Sequence, residues 1–344
     1  MTDQVLDKRY LNSLVPVNAL TLDHLETLLR DCSVEVVTPG QRLVSVGESD
    51  NSYLYLLSGS VKLEIDGEEQ GRIEAGDPEC RFPLLHHQPR RETVIANNDC
   101  SIIRFNCDVL DSMLAWDQTC SYILLNISSD RRNDEDVDWM STLLASNLFY
   151  KVPPVNIGLI LNKFSPHYFS AGETIIRQGE LGDCCYVIKE GQVSVFQAKD
   201  ERSKPEKVNT LSSGRCFGEY ALVNDAPRNA TIVMETNGVL MRLDKKDFHL
   251  LLKMPPVDRL AFTQAKALNE AVWLDVRTED EYDAGHVEGA LHTPLAFLQL
   301  KARLLPIDKP YIVYCNSGRR SDVAAYFLAE MGFSVYSLQG GFSA

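Results

Sequence analysis

The chain has 344 residues, 44% of them hydrophobic and 24% charged, a composition typical of soluble globular proteins with two or three domains. Its formal net charge of −14 argues against nucleic-acid binding through a basic face, and no apolar run approaches the roughly 18 residues of a membrane span. The first fifteen residues contain no apolar core typical of a signal peptide. The nine cysteines are odd in number and have no C-x-x-C spacing, which predicts reduced thiols and a cytoplasmic protein.

An internal repeat organises the first two thirds of the chain. Helical spacing places Leu22, Leu25, Leu28 and Leu29 on one face, and short β runs with turn signals follow over about a hundred residues. The glycines that separate those runs recur 132 positions later; the pairs are Gly40 and Gly172, Gly47 and Gly179, and Gly59 and Gly191. Farther along the offset is 138, because the polar residues 198–207 lengthen a hairpin loop by six. The repeat predicts two similar β-rich domains.

The run FGEYALVNDAPRNATI, residues 217–232 and here called the cassette, has the features of a pocket for one small phosphate. Gly218 lets the backbone approach an anion closely, and a short helix after it can point free N–H groups at that anion. Arg228 supplies a planar fork of donors for the phosphate oxygens. Glu219 is an acceptor beside an anion site, which makes sense if it accepts a sugar hydroxyl. A phosphate and a ribose hydroxyl within one loop indicate a cyclic nucleotide.

The cassette resembles the phosphate-binding cassette of cyclic nucleotide-binding domains, F-G-E-L-A…P-R-A-A-T, with Tyr220 and Asn229 as mismatches. The resemblance implies a cyclic nucleotide as effector and a site formed by Gly218, Glu219, Tyr220, Ala221, Arg228, Asn229 and Ala230. Family members that bind cGMP tend to carry a hydroxyl after the arginine, and those that bind cAMP tend to carry alanine. Asn229 is neither, and we favour cAMP over cGMP.

The first copy of the repeat has lost most of this pocket. Cys80 stands in place of the glycine, Arg81 in place of the ribose acceptor, and Pro83 and Glu92 in place of the two alanines, while Arg90 keeps the phosphate-binding arginine. Pro83 removes a backbone N–H, and Glu92 brings a carboxylate near the phosphate position. We therefore expect a structural or interaction module. The alternative is another anionic ligand, held by Arg81, Arg90 and Arg91.

Helix and strand alternate from about residue 260, with a helix predicted over 260–268 and strands over 272–276, 311–314 and 334–338, which indicates a small α/β domain with a parallel sheet. The strand YIVY runs straight into CNSGRRS, residues 315–321, here called the cysteine loop. Cys315 begins this loop, and a helix follows it. The loop N–H groups, the helix dipole, Arg319 and Arg320 favour a thiolate or a persulfide, so we expect a low pKa for Cys315.

This region resembles the rhodanese domain over about 85 residues. DVRTEDEYDAGHVEGA, residues 275–290, matches its first motif, and C-x-x-G-x-R-S matches its active loop. The resemblance implies that Cys315 accepts sulfur and that Gly318, Arg319, Arg320 and Ser321 complete the catalytic loop. Asp275, Arg277 and His286 match motif residues that we interpret as mainly structural. The spacing of five residues from Cys315 to Arg320 matches that of sulfurtransferases, whereas related phosphatases have a loop one residue longer.

Together these patterns predict a multidomain protein with two β-barrel (jelly-roll) cyclic nucleotide-binding domains, their flanking helices, and an α/β rhodanese domain. The predicted boundaries are a degenerate first domain at 1–127, an acidic linker at 128–139, a competent domain at 140–256 and the rhodanese domain at 257–344. The predicted function is a cyclic-nucleotide-responsive sulfurtransferase that moves sulfane sulfur from a small-molecule donor, through a persulfide on Cys315, to a thiophilic acceptor. We expect no metal, no nucleic-acid or membrane partner, and leave oligomer formation open.

Other functions fit parts of the sequence. A non-enzymatic sensor would use Cys315 only as a persulfide carrier or its domain as an interaction module. A kinase regulatory subunit also carries tandem barrels, but the first dozen residues contain no R-R-x-S/T sequence. A transcription factor would need a helix-turn-helix where the α/β domain stands. Finally, Pro255 and Pro256 end the helix after the second barrel, so we expect the rhodanese domain or its first helix to cap the second pocket.

Overall fold

The computed structural model describes residues 8–30, 32–84, 89–129, 152–156, 159, 163–200 and 203–342. The chain divides into two compact units. One combines Met1–Thr119 with Pro256–Ala344, and the other is Cys120–Pro255. Most of the predicted linker at 128–139, and the helical segment predicted from residue 140, lie outside the described residues.

The first barrel consists of two antiparallel sheets with helices before and after them. Its elements are α1 Lys8–Leu11, α2 Leu22–Arg30, β1 Val34–Val37, β2 Arg42–Val44, β3 Ser52–Ser58, β4 Ser60–Ile65, β5 Glu68–Glu74, β6 Thr93–Ala96, β7 Cys100–Asn106 and α3 Cys107–Ser129. The sheets have the strand orders β1-β7-β3 and β2-β6-β4-β5 and enclose an apolar core between them. Leu25 and Leu28 of α2 are buried as the helical spacing predicts, whereas Leu22 is 69% exposed.

The second barrel repeats this arrangement and confirms the tandem repeat. Its elements are β8 Ser165–Phe169, β9 Thr174–Ile176, β10 Cys184–Glu190, β11 Val193–Gln197, β12 Glu206–Leu211, β13 Cys216–Phe217, α4 Glu219–Val223, β14 Thr231–Met234, β15 Gly238–Asp244 and α5 Lys245–Leu251. The orders β13-β10-β15-β8 and β12-β11-β14-β9 match those of the first barrel strand for strand, with β13 added. In both copies the last strand pairs with the first and third, which is what the 132- and 138-residue offsets predict.

The C-terminal domain is an α/β fold with a parallel sheet, as predicted, and this sheet has five strands. Its elements are β16 Arg259–Leu260, α6 Phe262–Ala267, β17 Val272–Asp275, α7 Glu279–Ala284, β18 Leu291–His292, α8 Leu298–Ala302, β19 Tyr311–Tyr314, α9 Arg319–Glu330 and β20 Val335–Leu338. The strand order is β16-β20-β19-β17-β18, with fully buried β19 at the centre. The helix predicted over 260–268 begins only at Phe262, because Arg259 and Leu260 pair with β20.

The C-terminal domain forms its compact unit with the first barrel. Ion pairs within this unit join α3 to α9: Asp108 pairs with Arg319 at 2.9 Å and Asp111 with Arg320 at 3.0 Å. The sequence predicted that this domain lies at the second nucleotide pocket and gave no sign of its pairing with the first barrel. A cap on the second pocket therefore stays a prediction.

Candidate functional site

The cassette of the second barrel is built around Gly218, which ends β13 and begins α4. Its φ of 85° lies in the left-handed region that favours glycine. A Cβ atom at this position would lie 2.8 Å from Nη1 of Arg228 and 2.9 Å from Cδ1 of Ile176. Glycine is therefore required both by the turn and by the arginine that packs against it.

Arg228 is held at the loop by hydrogen bonds in two directions. Its side chain is buried, Nη1 donates to the carbonyl oxygen of Gly218 at 2.8 Å, and Nη2 donates to Oδ1 of Asp183 at 3.2 Å. The Asp183 side chain is 72% exposed and also accepts from Arg242 at 3.3 Å. An exposed carboxylate thus orients the cationic group, and sequence reasoning missed it because Asp183 lies outside the cassette.

Glu219 offers a buried acceptor. Its Oε2 is buried and has no hydrogen-bond partner among the described residues, and burial raises the pKa of the carboxyl group. An unsatisfied buried polar atom costs about 1–3 kcal/mol. A ligand hydroxyl that donates to Glu219 would remove that cost, so this orphaned oxygen fits the ribose of a cyclic nucleotide.

The other cassette residues divide by exposure. Ala221 and Ala230 are small and buried. Tyr220 is 49% exposed, and Asn229 is exposed while its carbonyl oxygen accepts from Gln197. The structure therefore brings Gly218, Glu219 and Arg228 together, and it leaves the two mismatched side chains on the surface.

In the first barrel the matching arginine serves the protein interior. Arg90 is 1% exposed, and its Nη2 donates to Oδ1 of Asp50 at 2.7 Å and to the carbonyl oxygen of Ser52 at 2.6 Å. Arg81 is exposed and donates to the carbonyl oxygen of Ser13 at 3.1 Å. These arginines bind different protein acceptors, and this arrangement favours a structural module over an anion site.

In the cysteine loop, backbone N–H groups surround the sulfur of Cys315. Gly318 has a φ of 97° and begins α9, and its N–H points at Sγ over 3.1 Å. The N–H of Ser321 lies 3.4 Å from the same sulfur. The loop therefore aims two donors at one sulfur atom at the end of β19, a cradle that suits a thiolate or a persulfide.

Arg320 is fully buried and fixes the loop through ion pairs. Its Nη1 and Nη2 donate to the two carboxylate oxygens of Glu281 at 2.6 and 2.8 Å, and Nη2 also lies 3.0 Å from Oδ1 of Asp111. Burial alone would raise the pKa of Glu281, but Arg320 holds it at about 2. Sequence reasoning missed Glu281, although its spacing from Thr278 is that of a capping box, which the structure contains.

Residues of the first rhodanese-like motif, residues 275–290, contact one another and the cysteine loop. Arg277 and Asp275 form a buried bidentate pair, and Nη1 of Arg277 donates to Oδ1 of Asn316 at 3.2 Å. His286 stacks on Tyr282 with ring centroids 3.8 Å apart. These contacts agree with the structural interpretation of Asp275, Arg277 and His286.

Two carboxylates from α3 also contact the cysteine loop. Ser317 donates its N–H to Oδ2 of Asp111 at 3.2 Å, and its hydroxyl donates to the same oxygen. Arg319 donates to Oδ1 of Asp108 at 2.9 Å, so its guanidinium pairs with a carboxylate of α3. Sequence reasoning could not find Asp111, because it lies 206 positions before Ser317.

The expected low pKa of Cys315 is wrong for this arrangement of the loop. Burial raises the pKa of the thiol and the charge of Asp111 raises it further, while Arg320 and the N–H of Ser321 act in the opposite direction. The low pKa was predicted from the positive groups of the loop alone. Neither the loss of solvent around Cys315 nor the carboxylate of Asp111 from another domain is visible in the local sequence.

No group of three or more His, Cys, Asp or Glu side chains within the described residues could hold a metal ion. None of the helices in those segments combines the length and apolar character of a membrane span.

The fold and both loops define a chain of tandem ligand-binding barrels joined to an α/β domain with a reactive-cysteine loop. The family described as cyclic nucleotide-binding domain matches residues 34–117 and 166–254, and the family described as rhodanese-like domain matches residues 261–344. The chain belongs to the cyclic nucleotide-binding domain family: it carries two such domains, followed by a rhodanese-like domain.

Two protein-kinase relatives match about two thirds of the chain. The cGMP-dependent protein kinase egl-4 of Caenorhabditis elegans is 26% identical over 239 residues, which cover 67% of this chain and 29% of the kinase. A cAMP-dependent protein kinase regulatory subunit of Mucor circinelloides f. lusitanicus is 29% identical over 63% of this chain and 47% of that protein. The chain thus spans less than half the length of either relative. The solved regulatory domain of Toxoplasma gondii PKA with cAMP matches 71% of this chain and 90% of its own, with 22% identity and a TM-score of 0.32.

Proposed function

We propose that the rhodanese-like domain is a sulfurtransferase in which Cys315 carries the transferred sulfur. The observation that carries the proposal is the pair of N–H groups, from Gly318 and Ser321, directed at Sγ of Cys315. A persulfide places its negative charge beside the same atom, so these donors stabilise the intermediate as well as the attacking thiolate.

The reaction proceeds in two displacements. The Cys315 thiolate attacks the sulfane sulfur of thiosulfate, the sulfur–sulfur bond of the donor breaks, and its electron pair leaves with sulfite. The enzyme then holds a Cys315 persulfide. A thiophilic acceptor such as cyanide attacks the outer sulfur, forms thiocyanate and returns the thiolate.

Intact-mass analysis of the full chain after incubation with thiosulfate tests this proposal. We expect one added sulfur at Cys315, no addition in Cys315→Ser, and steady turnover when cyanide is present. Cys120→Ser is a matched control, because Cys120 is a partly exposed thiol outside the cysteine loop. Sulfur addition and turnover in Cys315→Ser would contradict the proposal.

A non-enzymatic sensor is a second candidate, and one observation favours it. Cys315 is completely buried and the pKa of its thiol is raised, which suits slow loading better than rapid turnover. A sensor would accept one sulfur but would not turn over with cyanide. The steady-state rate therefore separates the two functions.

For the second barrel we propose that Gly218, Glu219, Ala221, Arg228 and Ala230 bind one cyclic nucleotide, with Tyr220 and Asn229 beside them. The buried Arg228 and the orphaned oxygen of Glu219 support it. We propose cAMP as the preferred ligand, because Asn229 lacks the hydroxyl that the family's cGMP binders tend to carry. Calorimetry with both nucleotides tests this: one site per chain and tighter cAMP binding are expected, and two sites or tighter cGMP binding would overturn it.

A further inference from the structure

The anion-binding donors of the cysteine loop are already occupied by a carboxylate from another domain. Asp111 lies near the start of α3, and its side chain is fully buried. Its Oδ2 accepts the N–H and the hydroxyl of Ser317, and its Oδ1 lies 3.0 Å from Nη2 of Arg320. A loop N–H and a guanidinium are the donors that an oxyanion substrate needs.

We propose that Asp111 is a built-in substrate mimic, whose carboxylate takes the place of the sulfonate group of an anionic sulfur donor. The proposal rests on the sulfur-transfer function proposed above and concerns the regulation of that site. A carboxylate and a thiosulfate dianion repel each other strongly in a buried space, so the two cannot share these donors. Asp111 must move away before an anionic donor can bind.

Residues of the first barrel hold the mimic in position. Asp108 lies on the same face of α3 as Asp111. Its Oδ1 accepts a hydrogen bond from Arg319 at 2.9 Å, and its Oδ2 accepts one from Asn51 at 3.0 Å. The Tyr53 hydroxyl, from β3, lies 3.4 Å from Oδ1 of Asp111. The first barrel has lost its own nucleotide cassette, and this contact gives it a second use as an inhibitory module.

The charges around Cys315 set the direction of the effect. Asp111 from α3, Arg320 from α9 and Glu281 from α7 form one buried cluster, in which two carboxylates share one guanidinium. Burial and the charge of Asp111 both raise the pKa of Cys315, and Arg320 lowers it. Neutralising Asp111 therefore frees an anion site and also favours the thiolate.

The test compares the full-length wild type with Asp111→Asn, which keeps the size of the side chain and an acceptor for Ser317. Asp99→Asn is the matched control, because Asp99 is an exposed carboxylate of the same barrel. The measurements are sulfur uptake against thiosulfate concentration, and the pH profile of Cys315 alkylation by the neutral reagent iodoacetamide. Peptide mass analysis assigns the alkylation to Cys315.

For Asp111→Asn we expect the apparent KM for thiosulfate to fall roughly 5- to 150-fold, the usual range of coupling between sites. The alkylation profile should also move to lower pH, and the control should match the wild type. An unchanged or higher KM with an unmoved profile would overturn the proposal and make Asp111 a positioning residue. If circular dichroism shows that Asp111→Asn is unfolded, Asp111→Ser is measured in the same way. A further outcome separates the two proposals. If neither wild type nor Asp111→Asn takes up sulfur, but the alkylation profile of the variant still moves to lower pH, the sulfur-transfer function is wrong while the effect of the Asp111 charge on Cys315 is upheld.

Discussion

At the scale of single residues, we expect nucleotide binding by the second barrel to depend most on Arg228. Arg228→Leu should weaken cyclic nucleotide binding by about 3–5 kcal/mol, because it leaves the bound phosphate without its buried cationic partner. Calorimetry measures the change, and Arg215→Leu, which alters an exposed arginine, should bind normally. Normal binding by Arg228→Leu would place the nucleotide elsewhere.

We expect Glu219 to make nucleotide binding sensitive to acid. Burial raises the pKa of Glu219 in the empty pocket, and only the ionised carboxylate is a pure acceptor for a ribose hydroxyl. Affinity should therefore begin to fall, as the pH is lowered, at a pH above the ordinary glutamate value of about 4.3. Calorimetry from pH 8 to pH 5 measures the decline, and Glu219→Gln should bind more weakly with a flatter pH profile. A wild-type profile as flat as that of Glu219→Gln would be inconsistent with this role.

Glu281 should stabilise the C-terminal domain in a pH-dependent way. Its folded pKa of about 2 lies below the unfolded value of about 4.3, so its stabilisation is complete above the unfolded pKa and is lost as the pH falls through the folded pKa. Breaking the buried pair in Glu281→Gln should cost about 3–5 kcal/mol at pH 7. Urea unfolding at pH 7 and pH 3 measures the free energy of unfolding of both proteins. The difference between Glu281→Gln and wild type should be smaller at pH 3. An equal difference at both would rule out the ion pair as its cause.

At the scale of elements, the chain after β20 packs tightly against the cysteine loop. Gly340 and Gly341 both have a φ of 78°. A Cβ atom on Gly341 would lie 2.0 Å from the carbonyl oxygen of Asn316, whereas one on Gly340 would meet nothing within 4 Å. The N–H of Phe342 donates to the carbonyl oxygen of Cys315 at 2.6 Å, so this segment fixes the loop backbone.

Alanine substitutions at Gly340 and Gly341 separate the steric clash with the cysteine loop from the cost of the left-handed backbone conformation. Both variants carry the same cost of about 1–2 kcal/mol for a left-handed alanine. Only Gly341→Ala should displace the loop and slow sulfur uptake, by about 10²-fold, the effect expected of a misplacement near 1 Å. Intact-mass kinetics measures the rates. Equal rates in the two variants would show that the loop does not depend on this contact.

The elements themselves were largely predictable. The glycine offsets of the repeat predicted two barrels with matching strand orders, because positive φ angles at turns such as Gly59 and Gly191 require glycine in both copies. The cassette and the cysteine loop could be identified from the sequence as candidate sites, since each is a single local segment. Asp183 and Glu281 were missed because the donors that they hold lie tens of residues away in sequence.

At the scale of the whole molecule, α3 connects the proposed inhibitory contact to the nucleotide-binding unit. The helix carries Asp111 near its start and runs through the boundary between the two compact units at Thr119 and Cys120. A change at one end of a continuous helix can be transmitted to the other. We therefore expect saturating cyclic nucleotide to change the rate of sulfur uptake in the wild type, and to have little effect in Asp111→Asn.

Rates of sulfur uptake, measured at quenched time points with and without cAMP, report this coupling. The typical change produced by coupling between two sites is roughly 5- to 150-fold. Arg228→Leu is the control, because it should remove the response by removing the nucleotide. A wild-type rate of sulfur uptake that is unchanged by saturating nucleotide would show that the two units are covalently linked but functionally independent.

The pairing of the first barrel with the C-terminal domain lay beyond sequence reasoning. No local pattern marks Asp111 as special, because helical acidic residues are usually solvated. Its partners Ser317 and Arg320 appear only when the chain folds back across the second barrel's sequence. The raised pKa of Cys315 was unpredictable for the same reason.

The insertion of the second barrel also fixes an order of events during synthesis. Asp111 leaves the ribosome 206 residues before Ser317, which takes roughly 10–40 s at 5–20 residues per second. In the last part of that interval, after Lys245–Leu251 has been made, the second barrel can fold while Asp111 of the first barrel still lacks its partners Ser317 and Arg320. We therefore expect the newborn chain to be able to bind nucleotide before Cys315 is in place, and the proposed inhibitory contact of Asp111 to form as soon as the C-terminal domain folds.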